Sequence, residues 1–218
     1  RYWGYDNFRG IQREIVALQL GMETAAFSLS CVMVGWLGTL PLAAHQVTIT
    51  ISQLFYLILF GMATAISIRI SHFAGQNDIE GIKANSKDGF RLVLFCSLLL
   101  SIPTLIFRNQ LGALFSSNVE VQQTVGMLII VLIIYQFGDG MQYTFSNALR
   151  GISCVKPLVP CAFIAYFLVS LPLGYVLGFI ANLGILGIWL AFPFGLTLAG
   201  VLYWQRFRKE LKKLEGRK

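Results

Sequence analysis

Residues 130–151 have the sequence IVLIIYQFGDGMQYTFSNALRG, an apolar run interrupted by Asp139 with a glycine on each side. Tyr135, Asp139, Gln142 and Ser146 recur at intervals of three and four residues, which places them on one face of a helix. A carboxylate inside a bilayer costs about 3 kcal/mol or more and usually faces a bundle interior or a watery cavity. The stretch therefore predicts a transmembrane helix whose polar stripe lines an ion or substrate path.

The composition of the whole chain is that of a membrane protein. Of its 218 residues, 56% are hydrophobic and 12% are charged, whereas soluble domains carry about 25% charged residues. No Asp, Glu, Lys or Arg occurs between Glu23 and Arg69, or between Lys156 and Arg206. Each of these gaps is long enough for two helices that cross a bilayer.

The hydropathy pattern predicts an all-α membrane protein with six transmembrane helices. An interfacial or cytoplasmic lead-in is expected at 1–14, a six-helix membrane unit at 15–205 and a basic cytoplasmic tail at 206–218. We also expect a polar loop at 69–91, a polar linker at 109–120 and a kink at Pro172. The six spans are expected at about 15–36, 43–68, 92–107, 121–149, 157–180 and 185–204.

The distribution of basic residues predicts the orientation. Six spans place both ends on one side, and 17 Lys and Arg are present. All of them except Arg108 fall on the side of the two ends, as expected for the cytoplasmic side of an inner membrane. The net charge of +7 therefore faces lipid headgroups, and no nucleic-acid partner is expected.

A second acid, Glu23, lies near the middle of the first span, with Gln19 and Ser30 on the same helical face. Each buried acid can be a protonated structural group or a functional one, and two acids on polar stripes favour function. A buried carboxyl can exchange a proton or, with a hydroxyl such as that of Tyr135, coordinate an alkali cation. A cationic drug is attracted both to the carboxylates and to the aromatic faces of Tyr135 and Tyr143.

The sequence lacks the common motifs of hydrolases and ATP-driven pumps. It contains no G-x-S-x-G, H-E-x-x-H or G-x-x-x-x-G-K-[ST], so hydrolase and ATP-driven functions have no support and no cofactor is expected. His45 is expected to donate a hydrogen bond to a loop carbonyl, with a pH-sensitive gate as the alternative. Arg69 and Arg150 are expected to anchor helix ends at the cytoplasmic interface.

Several short motifs follow one another in a fixed order: LGMETAAF at 20–27, MVGWLG at 33–38, LAAHQ at 42–46, SIRIS at 67–71, GQ at 75–76, IFR at 106–108, YQ at 135–136 with Asp139, ALRG at 148–151, LPLGY at 171–175 and GIW at 187–189. In order and spacing they resemble the second half of the MATE (multidrug and toxin extrusion) family, NorM-like branch. The glycines on both sides of Asp139 depart from familiar members.

The resemblance implies one lobe, the C-terminal one, of a twelve-helix antiporter that exports organic cations and other amphipathic compounds. Such a lobe sits in the lipid bilayer and works together with the N-terminal lobe of the same transporter. The resemblance also implies that Glu23, Asp139 and Tyr135 bind the coupling ion, Na⁺ or H⁺, with Glu23 and Asp139 as the metal ligands if that ion is Na⁺. Gln19, Gln142, Tyr143 and Ser146 are the expected lining of the substrate cavity.

Two other functions remain open. One is a lipid-linked oligosaccharide flippase of the same superfamily, whose anionic cargo generally calls for basic residues inside the spans. None is expected mid-span here, which favours cationic cargo. The other is a non-transporting membrane scaffold, which has little use for two buried acids.

Overall fold

The computed structural model describes the backbone of residues 2–216 and the side chains of residues 10–216. Residues 1–9 of the predicted lead-in therefore lie outside the described side chains. Six long helices and one short helix follow in chain order: α1 (Tyr2–Trp36), α2 (Thr39–Gly75), α3 (Ile79–Ile106), α4 (Arg108–Phe115), α5 (Val119–Gly151), α6 (Leu158–Ile180) and α7 (Gly184–Glu215).

All the helices except α4 contain a segment long and apolar enough to cross a membrane. The predicted all-α fold with six transmembrane helices is therefore confirmed. The outer face of α3 shows how these helices meet lipid, because Phe95, Leu98, Leu99 and Ile102 are all exposed on it. Apolar side chains on that face are stable in hydrocarbon and would be unfavourable in water.

The prediction of a polar loop at 69–91 is wrong. Helix α2 continues to Gly75 and α3 begins at Ile79, so the connection is only three residues long. The Asp78 carboxylate accepts a hydrogen bond from the Gly81 N–H (2.9 Å) and caps α3, while Asn77 takes the left-handed conformation of a tight turn. Hydropathy marks where hydrocarbon ends, but both helices continue beyond that depth.

Helices that continue beyond the hydrocarbon also account for two further differences between the sequence predictions and the structure. The expected linker at 109–120 contains the short helix α4, after which Asn118 caps α5 by accepting from the Glu120 N–H (2.9 Å). The expected tail at 206–218 continues α7 as far as Glu215. Polar and basic residues form good helices when water or headgroups solvate their side chains.

Helix α5 is the centre of the lobe and packs most extensively against α7 and α2, then against α3 and α4. The two glycines that flank Asp139 allow the neighbouring helices to pack this closely against α5. A Cβ on Gly138 would lie 2.7 Å from Thr197 Oγ1 of α7, and a Cβ on Gly140 would lie 2.9 Å from Val93 of α3. The helix stays regular through both glycines, so they serve close packing on two sides of Asp139.

Helix α6 is irregular around Pro172. π-helical segments at Ile164–Ser170 and Val176–Ile180 flank the α-helical turns Leu171–Tyr175. Proline lacks the N–H that an α-helix uses, and π-helical turns are one way in which a helix accommodates the disturbed ladder. The interruption expected at Pro172 thus coincides with a change of helix type on each side.

Candidate functional site

Glu23 joins α1 to the central helix through a buried hydrogen bond. The Tyr143 hydroxyl donates to Glu23 Oε1 at 2.8 Å, and the glutamate is only 7% exposed. Within residues 10–216, the second oxygen, Oε2, has no hydrogen-bond partner. A buried carboxylate oxygen without a partner is costly, so this oxygen is available to a proton or a cation.

Asp139 lies on α5 one helical turn after Tyr135 and one turn before Tyr143, and it is 3% exposed. Tyr143, one turn further along α5, donates to Glu23 Oε1 and so brings the two acids to the same part of the lobe, although 116 residues separate them in the sequence. Two carboxylates so placed repel each other when both are charged. A bound proton or cation relieves that repulsion.

A cavity of about 270 Å³ opens between α1, α2 and α5 at this point. Three of the predicted residues line it: Glu23, Tyr135 and Tyr143. The remaining lining comes from Leu20, Thr24 and Phe27 of α1 and from Ile49, Ser52, Gln53 and Tyr56 of α2. The cavity is thus apolar with a few polar groups, which is typical of small-molecule sites.

Asp139 and the other predicted cavity residues, Gln19, Gln142 and Ser146, are buried but are not among the described residues that line this cavity. Gln142 and Ser146 are fully buried, and Ser146 donates to the Tyr143 carbonyl (3.3 Å). Within the described part of the chain, neither the amide nitrogen nor the amide oxygen of Gln142 has a partner, and the same is true of the buried Tyr166 hydroxyl of α6. Polar groups with unused hydrogen-bonding capacity therefore continue from the cavity into the lobe.

Gln19 has a partner that the sequence analysis did not anticipate. The Arg150 guanidinium donates to Gln19 Oε1 through Nη2 at 2.8 Å. Arg150 lies in the last turn of α5, as expected for a residue at a helix end, and its guanidinium is partly buried against α1. Gln19 precedes Glu23 by one turn of α1, so this cation is bound one helical turn from the first of the two acids.

Sequence reasoning missed the contribution of α2. Tyr56 packs edge-to-face on Tyr143 (centroids 5.5 Å apart) and stacks on Phe60 (5.4 Å), so three aromatic rings form a cluster beside Glu23. The signal was present in the sequence, because Ile49, Gln53, Tyr56 and Phe60 follow helical spacing. This spacing did not stand out in the sequence because tyrosine and phenylalanine do not interrupt an apolar span.

The prediction that His45 pairs with a loop carbonyl is wrong. His45 is completely buried, and its Nδ1 accepts a hydrogen bond from the Trp189 indole N–H at 3.1 Å rather than meeting a loop carbonyl. The two rings also pack edge-to-face, with centroids 5.6 Å apart. A side-chain donor on α7 satisfies this nitrogen, which locks α2 to α7.

The donor set suits a hard cation or a proton. Among the described residues, no group of three or more His, Cys, Asp and Glu side chains is clustered as a transition-metal site would require. Two carboxylates with nearby hydroxyls are oxygen ligands, which alkali cations prefer. The free Oε2 of Glu23 is the observation that fits such an ion.

Comparison with known proteins identifies the family. The MatE family model matches residues 16–176, which is more than half of the chain. The chain belongs to the MATE family. This is a family of transporters and not of enzymes, in agreement with the resemblance noted in the sequence.

Among curated MATE proteins, the multidrug resistance protein NorM of Aliivibrio fischeri is 37% identical over 191 residues, covering 86% of this chain and 42% of that protein. NorM of Photobacterium profundum is 32% identical, covering 88% of this chain and 43% of that protein. The chain therefore spans less than half the length of the curated relatives it matches.

Solved MATE structures share the fold. The eukaryotic MATE transporter AtDTX14 superposes with a TM-score of 0.83 at 20% identity, covering 93% of this chain and 47% of that one. The Vibrio cholerae MATE transporter VcmN in its bent form gives a TM-score of 0.84 at 18% identity, covering 92% and 45%. The six-helix arrangement thus matches about half of a MATE transporter.

Proposed function

We propose that this chain is the C-terminal lobe of a cation-coupled antiporter that exports organic cations and other amphipathic compounds across the cytoplasmic membrane. The observation that carries the proposal is the pair of buried acids, Glu23 and Asp139, beside a cavity with aromatic walls. The relatives named multidrug resistance protein NorM support the same activity.

In this proposal the coupling ion, Na⁺ or H⁺, binds between Glu23 and Asp139. Either ion neutralises the repulsion between the two carboxylates, so the two ions compete for one site. Tyr135 adds a hydroxyl from the same wall of the cavity. The ion and a cationic substrate also compete, because both are held by the same negative charge, and this competition is what antiport requires.

The aromatic cluster of Tyr56, Phe60 and Tyr143 provides a second interaction by which the substrate is recognised. A cation over an aromatic face gains about 0.5–2 kcal/mol, more when water is excluded. Tyr143 belongs to this cluster and also donates to Glu23, so substrate contact and ion binding meet at one side chain. The described residues that line the cavity include no Lys or Arg, which favours cationic cargo over the anionic cargo of a flippase.

The partner lobe completes the cavity in the proposed transporter. The cavity is walled by α1, α2 and α5 on one side, and the N-terminal lobe would close it from the other. The distribution of Lys and Arg supports a cytoplasmic location for both ends of this segment. Transport therefore has to be measured on the full-length protein.

The test is efflux of a fluorescent organic cation from cells that express the full-length protein. Efflux is measured in sodium-containing and sodium-free buffer at two external pH values. Dependence on sodium at fixed pH assigns Na⁺, and dependence on the proton gradient without sodium assigns H⁺. Efflux equal to that of cells without the protein would overturn the proposed function.

Tyr143→Phe is expected to lower the ion concentration at which efflux is half-saturated. The Tyr143 hydroxyl stabilises the ion-free Glu23 carboxylate, and losing a hydrogen bond to a charged group costs about 1.5–3 kcal/mol. The ion that neutralises this carboxylate should therefore bind at least about 10-fold more tightly in the variant. Efflux rates measured against ion concentration give this value. Tyr175→Phe is the matched control, since Tyr175 is 48% exposed on α6. An unchanged ion dependence would separate Tyr143 from the ion site.

A further inference from the structure

A second and larger cavity lies between α3 and α7, at the end of the lobe where α3 begins and α7 finishes. Its volume is about 760 Å³. Phe90, Phe145, Trp204 and Phe207 form an apolar wall, and Lys83, Lys87, Arg208, Lys212 and Glu215 stand around its mouth. We call this cavity the α3–α7 groove. None of its lining residues belongs to α1 or α2, so it is separate from the Glu23 cavity.

The length of α7 sets the depth of the groove in the membrane. About 20 helical residues cross the hydrocarbon layer, so a span that starts at Gly184 reaches the opposite interface near Trp204. Tryptophan is enriched at that depth. Arg208 and Lys212 follow Trp204 at one and two helical turns, which places them among the headgroups. The groove therefore runs from the headgroup layer into hydrocarbon.

The charges at the mouth are mostly uncompensated. Lys83 pairs with Glu215 and more loosely with Glu80 (3.4 Å). Within residues 10–216, Lys87, Arg208 and Lys212 form no ion pair with a carboxylate. Three cations thus surround the mouth of the groove, and the carboxylate of its lining is already paired with a lysine.

Arg208 is held in position without losing its charge. Its Cζ lies 4.9 Å from the centroid of the Trp204 ring, a cation–π contact that fixes the guanidinium at the interface. A cation–π contact uses no N–H hydrogen bond to another polar group, so it leaves the hydrogen-bonding capacity of the guanidinium for a ligand. A planar donor set of this kind suits the oxygens of a phosphate group.

We propose that the α3–α7 groove binds an anionic phospholipid of the surrounding bilayer. Its phosphate would lie among Lys87, Arg208 and Lys212, and an acyl chain would lie on the Phe90, Phe145 and Phe207 wall. A soluble anion has no use for an apolar wall that continues into hydrocarbon. A zwitterionic lipid brings its own ammonium group to the cations, so the charge favours a lipid with a net negative headgroup.

The proposal is tested by lipid binding to the purified full-length protein in detergent, measured by native mass spectrometry. Phosphatidylglycerol and phosphatidylcholine are titrated separately. Phosphatidylglycerol is expected to bind in preference to phosphatidylcholine, and inorganic phosphate is expected not to displace it. The combined variant Lys87→Gln with Arg208→Gln should bind phosphatidylglycerol about 30-fold more weakly, because each cation near the headgroups contributes about fivefold in affinity.

The matched control is Arg206→Gln with Lys209→Gln, which removes the same charge from α7 outside the groove. This control should retain phosphatidylglycerol binding, as should the charge-conserving variant Lys87→Arg. Equal weakening in the groove and control variants would reduce the effect to net charge and overturn the proposal. Equal binding of the two lipids, or binding unaffected by the groove variant, would overturn it as well. None of these readouts depends on transport.

Discussion

Replacing Asp139 with asparagine in the full-length protein is expected to abolish cation-coupled efflux. Asparagine has nearly the same shape, so the tight packing around Asp139 is preserved while the negative charge is lost. Removing a charged ligand costs about 1.5–3 kcal/mol, or about 10- to 150-fold in cation affinity. With one carboxylate gone, Glu23 no longer has a neighbour whose repulsion an ion must relieve, and ion binding loses its link to substrate release.

Efflux of a fluorescent organic cation, measured at matched expression, checks this result. Asp88→Asn is the control, because Asp88 is an exposed residue of α3 paired with Arg91 at 3.3 Å, and exposed pairs contribute little. The variant Glu23→Gln should behave like Asp139→Asn. Normal efflux in both variants would make the acids structural. Failure of the unmodified protein itself to transport would favour the scaffold hypothesis.

Asp139 and Glu23 were identifiable from the sequence for a simple physical reason. A carboxylate in a span is so unfavourable that its position alone predicts a buried polar environment. The helical spacing of Tyr135 and Asp139 then placed a hydroxyl on the same face as the carboxylate. The structure brings Glu23, Tyr135 and Tyr143 to one cavity, while Asp139 is buried on the same helix as the two tyrosines.

Other features depended on contacts between distant segments, which spacing within one helix cannot reveal. The hydrogen bond from Arg150 to Gln19 joins residues 131 positions apart, and the bond from Trp189 to His45 joins residues 144 apart. The α2–α3 connection was misjudged because hydropathy reports the depth of the hydrocarbon, whereas a helix continues wherever caps and solvation allow. The cap at Asp78, with Glu80 in the first turn, was the available signal.

A large loss of stability is expected for Gly138→Val. A Cβ at this position would lie 2.7 Å from Thr197 Oγ1 and 3.1 Å from the Thr197 backbone nitrogen. The hydroxyl can rotate away, but the backbone of α7 cannot move without disturbing its packing against the central helix. Overpacking of this kind costs about 1–3 kcal/mol, and valine adds two methyl groups beyond that first carbon. Thermal unfolding of the full-length protein in detergent should therefore occur at a clearly lower temperature.

The control and the rescue separate this steric effect from other consequences of a new side chain. Gly61→Val makes the same change inside α2, where nothing lies within 4 Å of the added Cβ, and should leave the unfolding temperature nearly unchanged. Thr197→Ala removes the hydroxyl and should recover part of the loss in the Gly138→Val background, but the backbone contact should keep the recovery incomplete. A Gly138→Val protein as stable as the Gly61→Val protein would mean that α5 and α7 are not in close contact at this level. In that case, packing of α5 against α7 would not hold Asp139 in place beside Glu23, and the proposed architecture of the ion site would be wrong.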